Sequence, residues 1–112
     1  MEILINRSWG GFSLSYRASR LFAKEKGEPY KFVKYKSDYC ERNFYLTPAP
    51  ERNDPVLIGI VKRLGLRKSA RDTGDKLRIV EIPDGVDWYI DDYDGVETVH
   101  ERHRQWPGED EE

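Results

Sequence analysis

Residues 76–101 read KLRIVEIPDGVDWYIDDYDGVETVHE, and this stretch decides the fold. Residues 76–82 form a strand that is apolar on both faces, ended by Pro83-Asp84-Gly85. Val86, Trp88 and Ile90 then alternate with Asp87, Tyr89 and Asp91, the period of a half-buried strand. Asp94-Gly95 is a two-residue hairpin signal, since both turn positions need positive φ and these residues adopt it at low cost. That turn fixes a register in which Ile90 faces Val99, Tyr89 faces His100 and Asp92 faces Glu97. The last pair opposes like charges, which costs stability unless something offsets it.

Working outward, residues 2–6 (EILIN) are a short apolar run, a strand buried on both faces. Gly10-Gly11 breaks it, and Leu14, Ala18, Leu21 and Phe22 follow at helical spacing, with Ser13 or Ser15 as the cap and Gly27 as the stop. Residues 31–36 (KFVKYK) read as a strand with a basic solvent face, and Phe44-Tyr45-Leu46 as another before the extended Thr-Pro-Ala-Pro. Asp54 as cap and Pro55 at the first helical position open a second helix, whose stripe is Leu57, Ile60, Val61 and Leu64. Residues 67–75 (RKSARDTGD) read as a polar, basic loop. The sum is one α+β domain over residues 1–106, with two helices on a mixed sheet of about four or five strands and a C-terminal β-hairpin. Residues 107–112 (PGEDEE) are expected to be a disordered acidic tail.

Charge is sorted along the chain. Residues 1–80 carry 17 basic and 9 acidic side chains, whereas residues 81–112 carry 2 and 12, so the net −2 conceals a polar molecule. Such a split permits head-to-tail association and leaves oligomeric state open. The acidic C-terminal part and the pI near 5.8 disfavour nucleic acid as a partner. A single cysteine, Cys40, excludes an internal disulfide and suits a reducing compartment. Two histidines and one cysteine are too few for a structural zinc site, and no apolar run is long enough to span a bilayer. The expected setting is cytoplasmic, with no cofactor.

Two surfaces carry the candidate chemistry. The first is the glycine corner NRSWGGFSLSYR, residues 6–17, where a strand gives way to a helix. Free amides and a partial positive charge at a helix start can hold a phosphate or carboxylate. Arg7, Gly10, Gly11, Ser13 and Arg17 are the candidate anion ligands, with Trp9 to stack on a ring. The Gly-Lys-Ser/Thr signature of a phosphate loop is absent. The second is the acidic hairpin, where Asp91, Asp92, Asp94 and Glu97 can face a basic protein. Its carboxylates also raise a third reading, metal-assisted hydrolysis by Asp91, Asp92 and Glu97, for which no nucleophile is evident. His100 and His103 would point oppositely on a strand, which argues against a shared metal.

The segments ILINRSWGGFSLS, RNDPVLIGIVKRLG and KLRIVEIPDGVDWYIDDYDGVE, with HERHRQW after them, together resemble a group of small accessory proteins of tailed bacteriophages. The resemblance implies a protein acting in the cytoplasm of an infected bacterium and carries no catalytic residues with it. Two functions follow as expectations. The first is a non-enzymatic binder of an anionic small molecule, such as a nucleotide signal of host defence. The other is an interaction module that blocks a basic host surface with its hairpin.

Overall fold

The N-terminal strand is covered on both faces, since Ile3, Leu4 and Ile5 are all buried, with Leu4 in the main hydrophobic cluster. The computed structural model describes residues 1–9, 11–37, 40–71 and 76–102. Among them the order is β1 (Glu2–Asn6), α1 (Tyr16–Lys26), β2 (Lys31–Ser37), β3 (Cys40–Thr47), α2 (Pro55–Leu64), α3 (Leu66–Ser69), β4 (Leu77–Glu81), β5 (Trp88–Tyr93) and β6 (Val96–Glu101). The α+β class is as expected, but the single mixed sheet is not. The described strands form three separate two-stranded antiparallel sheets, β1–β4, β2–β3 and β5–β6. Gly10, His103 and residues 107–112 lie outside the described residues, as does the side chain of Cys40. No described helix is long and apolar enough to cross a membrane.

The reason the β1–β4 sheet stops at two strands lies at β1. Its register with β4 pairs Ile3 with Val80 and Ile5 with Arg78, and Arg7 N–H donates to the Lys76 carbonyl at 2.7 Å. In an antiparallel ladder alternate residues bond to alternate sides, so the groups of Leu4 and Asn6 point to the other edge. There the partner is not a strand. Leu4 N–H donates to the Arg52 carbonyl at 2.8 Å, the Arg52 guanidinium donates to the Leu4 carbonyl at 3.2 Å, and Asn6 N–H donates to Glu97 Oε1 at 2.7 Å. The Arg52 main chain and the Arg52 and Glu97 side chains stand where a third strand was expected.

Both long helices start as their caps dictate. Ser15 Oγ accepts from the Ala18 amide at 3.2 Å, so Ser15 rather than Ser13 is the α1 cap, and Asp54 accepts from the Val56 amide at 2.8 Å. The stripe Leu57, Ile60 and Val61 is fully buried against Ala18 and Phe22 of α1, together with Leu4, Leu14 and Leu77. Ion pairs from Lys26 to Asp54 and from Arg63 to Glu25 join the two helices, and Lys62 reaches Glu2 of β1. Burial raises the Asp54 pKa, but the hydrogen bonds from Lys26 and the Val56 amide more than offset it, so the carboxyl lies below its usual range.

Part of the stretch read as a polar loop is helical. Residues 66–69 make one turn, α3, in which Ser69 Oγ donates to the Gly65 carbonyl at 2.8 Å and Leu66 packs on the core. A four-residue element is too short to show a period, which is why the pattern missed it.

Candidate functional site

The described residues of the glycine corner face different parts of the molecule. Arg7 Nη1 donates to the Glu97 carbonyl at 2.8 Å, which turns it towards the β5–β6 hairpin. Trp9 is 72% exposed, and Gly11 takes a φ of +86°, open to glycine at no steric cost. Ser13 lines a cleft of about 220 Å³ with Phe12, Phe44, Pro50 and Arg71. Arg17 belongs to a different groove, along α1. The chain between β1 and α1 is drawn across the body by a Leu14–Ala70 bridge and by Ser15 N–H donating to the Ser69 carbonyl at 2.7 Å. Its last residues, Leu14 and Ser15, are thereby held against the α3 end rather than curled back on Arg7.

The hairpin, by contrast, forms in the expected register: Ile90 opposes Val99, Tyr89 opposes His100 and Asp92 opposes Glu97. Asp94 and Gly95 take φ of 52° and 90°, as a tight hairpin turn requires. Its four candidate acids fall into two kinds. Asp91, Asp92 and Asp94 are exposed, whereas Glu97 is 3% exposed and faces the body. The Arg52 guanidinium forks onto it, Nη1 to Oε1 at 2.6 Å and Nη2 to Oε2 at 2.7 Å, and lies 3.6 Å over the Phe12 ring. Asn6 completes the lock: its side-chain amide donates to the carbonyls of Ser8 at 2.8 Å and Gly95 at 2.9 Å. Glu97 is therefore the residue that fastens the hairpin, not one that it presents.

This lock answers the repulsion expected between Asp92 and Glu97. Arg52 neutralises Glu97, and Asp92 accepts from the Gly95 amide at 2.7 Å. Because Asn6 bridges Ser8 and Gly95, the segment that carries the exposed Trp9 is tied to the turn, which also carries Tyr93, 77% exposed. The tip thus carries the exposed Tyr93 with Asp92 and Asp94, and a second exposed ring, Trp9, lies on the segment fastened to it. On the outer face of β5, Asp91 lies 3.9 Å from His100, and Tyr89 stacks on the His100 ring at 5.4 Å. Asp91 and Asp92 point to opposite faces and Glu97 is held by Arg52, so the three do not gather for a metal. Among the described residues no group of three or more His, Cys, Asp or Glu side chains can hold one.

A second surface, which the sequence reading credited only through Arg17, runs along α1. Arg17, Arg20 and Lys24 line a groove of about 490 Å³ with Tyr16 and Leu21. All three cations are exposed, and among the described residues none makes an ion pair or hydrogen bond. Their spacing, three and seven residues from Arg17, was available in the sequence. Arg52 and Asn6 carried no such signal, because they meet Glu97 across 45 and 91 residues of chain.

The chain matches no protein-family model, no curated protein and no solved structure.

Proposed function

We propose that this protein is an interaction module whose acidic hairpin tip engages a basic surface of a protein partner. One observation carries the reading. The hairpin is fastened from behind by Glu97, while Asp91, Asp92, Asp94 and Tyr93 are exposed on its two faces and turn, and Trp9 is exposed on the segment tied to that turn through Asn6. Exposed aromatic anchors ringed by charge are the usual make-up of a contact that buries rings and steers with electrostatics. The resemblance to phage accessory proteins supports a bacterial cytoplasm as the setting.

The test is co-purification from bacterial lysate with the wild-type chain, with Trp9→Ala and with Asp91→Lys/Asp94→Lys. A partner held at low salt, released at high salt and lost with both variants supports the reading. A partner retained by both variants overturns it.

A second reading, capture of an anionic small molecule such as a nucleotide, is favoured by the unpaired row Arg17, Arg20 and Lys24. It moves that function from the glycine corner to α1. A ligand at a hundredfold excess over its Kd would stabilise the fold by about 2.7 kcal/mol, readable as a thermal shift that Arg17→Ala removes. A flat response across nucleotides and sugar phosphates sinks it.

A further inference from the structure

We propose that the α1 groove is the docking surface for the acidic hairpin of a second copy of this chain, giving head-to-tail association. The inference rests on the hairpin reading above and names one occupant for it.

The argument starts from which cations are already neutralised. On α1 and α2, Lys26 is paired with Asp54, Lys62 with Glu2 and Arg63 with Glu25. Arg17, Arg20 and Lys24 are the cations of α1 left without a counter-ion among the described residues. At 1.5 Å per residue they form one row roughly 10 Å long on one helical face. Tyr16 and the half-buried Leu21 give the groove an apolar side.

The hairpin offers the complementary pattern. Residues 84–102 hold seven acids and one arginine, and Glu97 alone among those acids is buried. Asp87, just ahead of β5 and paired with Arg102 at 3.6 Å, alternates with Tyr89, Asp91 and Tyr93 on one exposed face, so Asp87 and Asp91 stand about 14 Å apart along the chain. A carboxylate row with interleaved rings therefore matches a cationic row of similar length with a ring at one end.

Within one copy the two surfaces belong to elements that pack on different neighbours. The helix packs on α2, α3, β2 and β3, whereas the hairpin is seated on β1 through β6. Opposite charges offered from separate parts of one molecule meet between molecules. The contact is heterologous, a groove on one copy and a hairpin on the next, so it propagates as a chain or closes as a ring.

The experiment is sedimentation velocity of the full chain at roughly 0.01 M and 1 M salt, where the screening lengths are about 30 Å and 3 Å. Mass should rise with protein concentration at low salt and fall to monomer at high salt. Two neutral variants follow, Arg17→Gln/Arg20→Gln/Lys24→Gln and Asp87→Asn/Asp91→Asn/Asp94→Asn, each checked for folding by circular dichroism. Each alone should self-associate at least about tenfold more weakly, a change of about 1.4 kcal/mol. Mixed in equal amounts, they should form a one-to-one pair that grows no further, because each retains one working surface. A monomer at every concentration in low salt overturns the proposal. So does an equimolar mixture that stays monomeric, or an α1 that binds nucleotide or single-stranded DNA while the chain remains alone. Loss of lysate capture in Asp91→Lys/Asp94→Lys, with the wild type strictly monomeric, would remove this inference and leave the hairpin reading standing. Self-association and capture both unchanged in the hairpin variants would remove both.

Discussion

The β2–β3 and β5–β6 hairpins are attached to the same body by opposite physics. The first is held by rings. Phe32 and Phe44 meet Tyr16 of α1 edge-on at 5.0 and 5.4 Å, and Arg71 lies 4.2 Å over the Phe44 ring. The second is held by a buried carboxylate, two guanidinium bonds and a backbone amide. Ring packing gains from buried area and is only loosely directional, so it accommodates the register shift seen between Tyr35 and Ser37 of β2–β3. A forked ion pair demands alignment, and the β5–β6 ladder is regular from Trp88–Glu101 to Tyr93–Val96. The lesson is that a hairpin can be anchored for orientation as well as for stability. The one with the projecting acids is the one whose direction is fixed.

That contrast can be broken first at the lock. Arg52→Ala leaves Glu97 buried and unpaired, and should cost about 3–5 kcal/mol by urea denaturation. Arg52→Met with Glu97→Leu should recover most of that loss, since it removes both charges together. If the double variant is as unstable as the single one, the pair does more than balance charge.

Next comes the ring anchor. Phe44→Ala should cost about 3 kcal/mol, near the lower end for a buried ring because the β2–β3 surface is partly open. Amide exchange should quicken in β2–β3 while β5–β6 keeps its protection, and a uniform effect on both would contradict separate attachment.

Asp54 lies between the two systems, as the α2 cap and the partner of Lys26. Asp54→Ala should cost about 1 kcal/mol and weaken both hairpins equally. The carboxyl pKa is depressed, so its contribution is present above the unfolded value near 3.8 and is lost as pH falls through the folded value. The gap between wild type and Asp54→Ala should therefore be constant near neutrality and close in acid. The smallest effect is expected at Asp92. Asp92→Asn keeps an oxygen for the Gly95 amide and relieves repulsion from Glu97, so stability should stay within about 0.5 kcal/mol.

These two hairpins also divide what was legible in the sequence. The Asp94-Gly95 turn and its register were readable because the signal is local and the period is two. The caps Ser15 and Asp54, and the stripe Leu57–Ile60–Val61, were readable for the same reason. What could not be read was how the pieces meet. Nothing near Glu97 marks it as the inward-facing acid among seven, and nothing near Arg52 marks it as that acid's partner. The glycine corner is ambiguous because a strand, glycines and a helix start look alike whether the link is a tight cradle or an extended crossing. The long-range bonds of Leu14 and Ser15 to Ala70 and Ser69, which no local pattern reveals, set how its far end enters α1.

The side-chain lock at β1 has a consequence for how this chain behaves in company. A two-stranded sheet normally leaves an outer row of amides and carbonyls, a template on which another extended chain can grow. Here Arg52 and Glu97 occupy that row at Leu4 and Asn6, so the apolar Ile3-Leu4-Ile5 segment is not offered for strand addition. Nature more often blunts such rows with lysine, proline or a bulge; this fold uses an ion pair that also aims a hairpin. Lifting the hairpin would then do two things at once, releasing its orientation and uncovering a sticky seam. Association through acids and bases and aggregation through backbone are in this way kept apart by one glutamate.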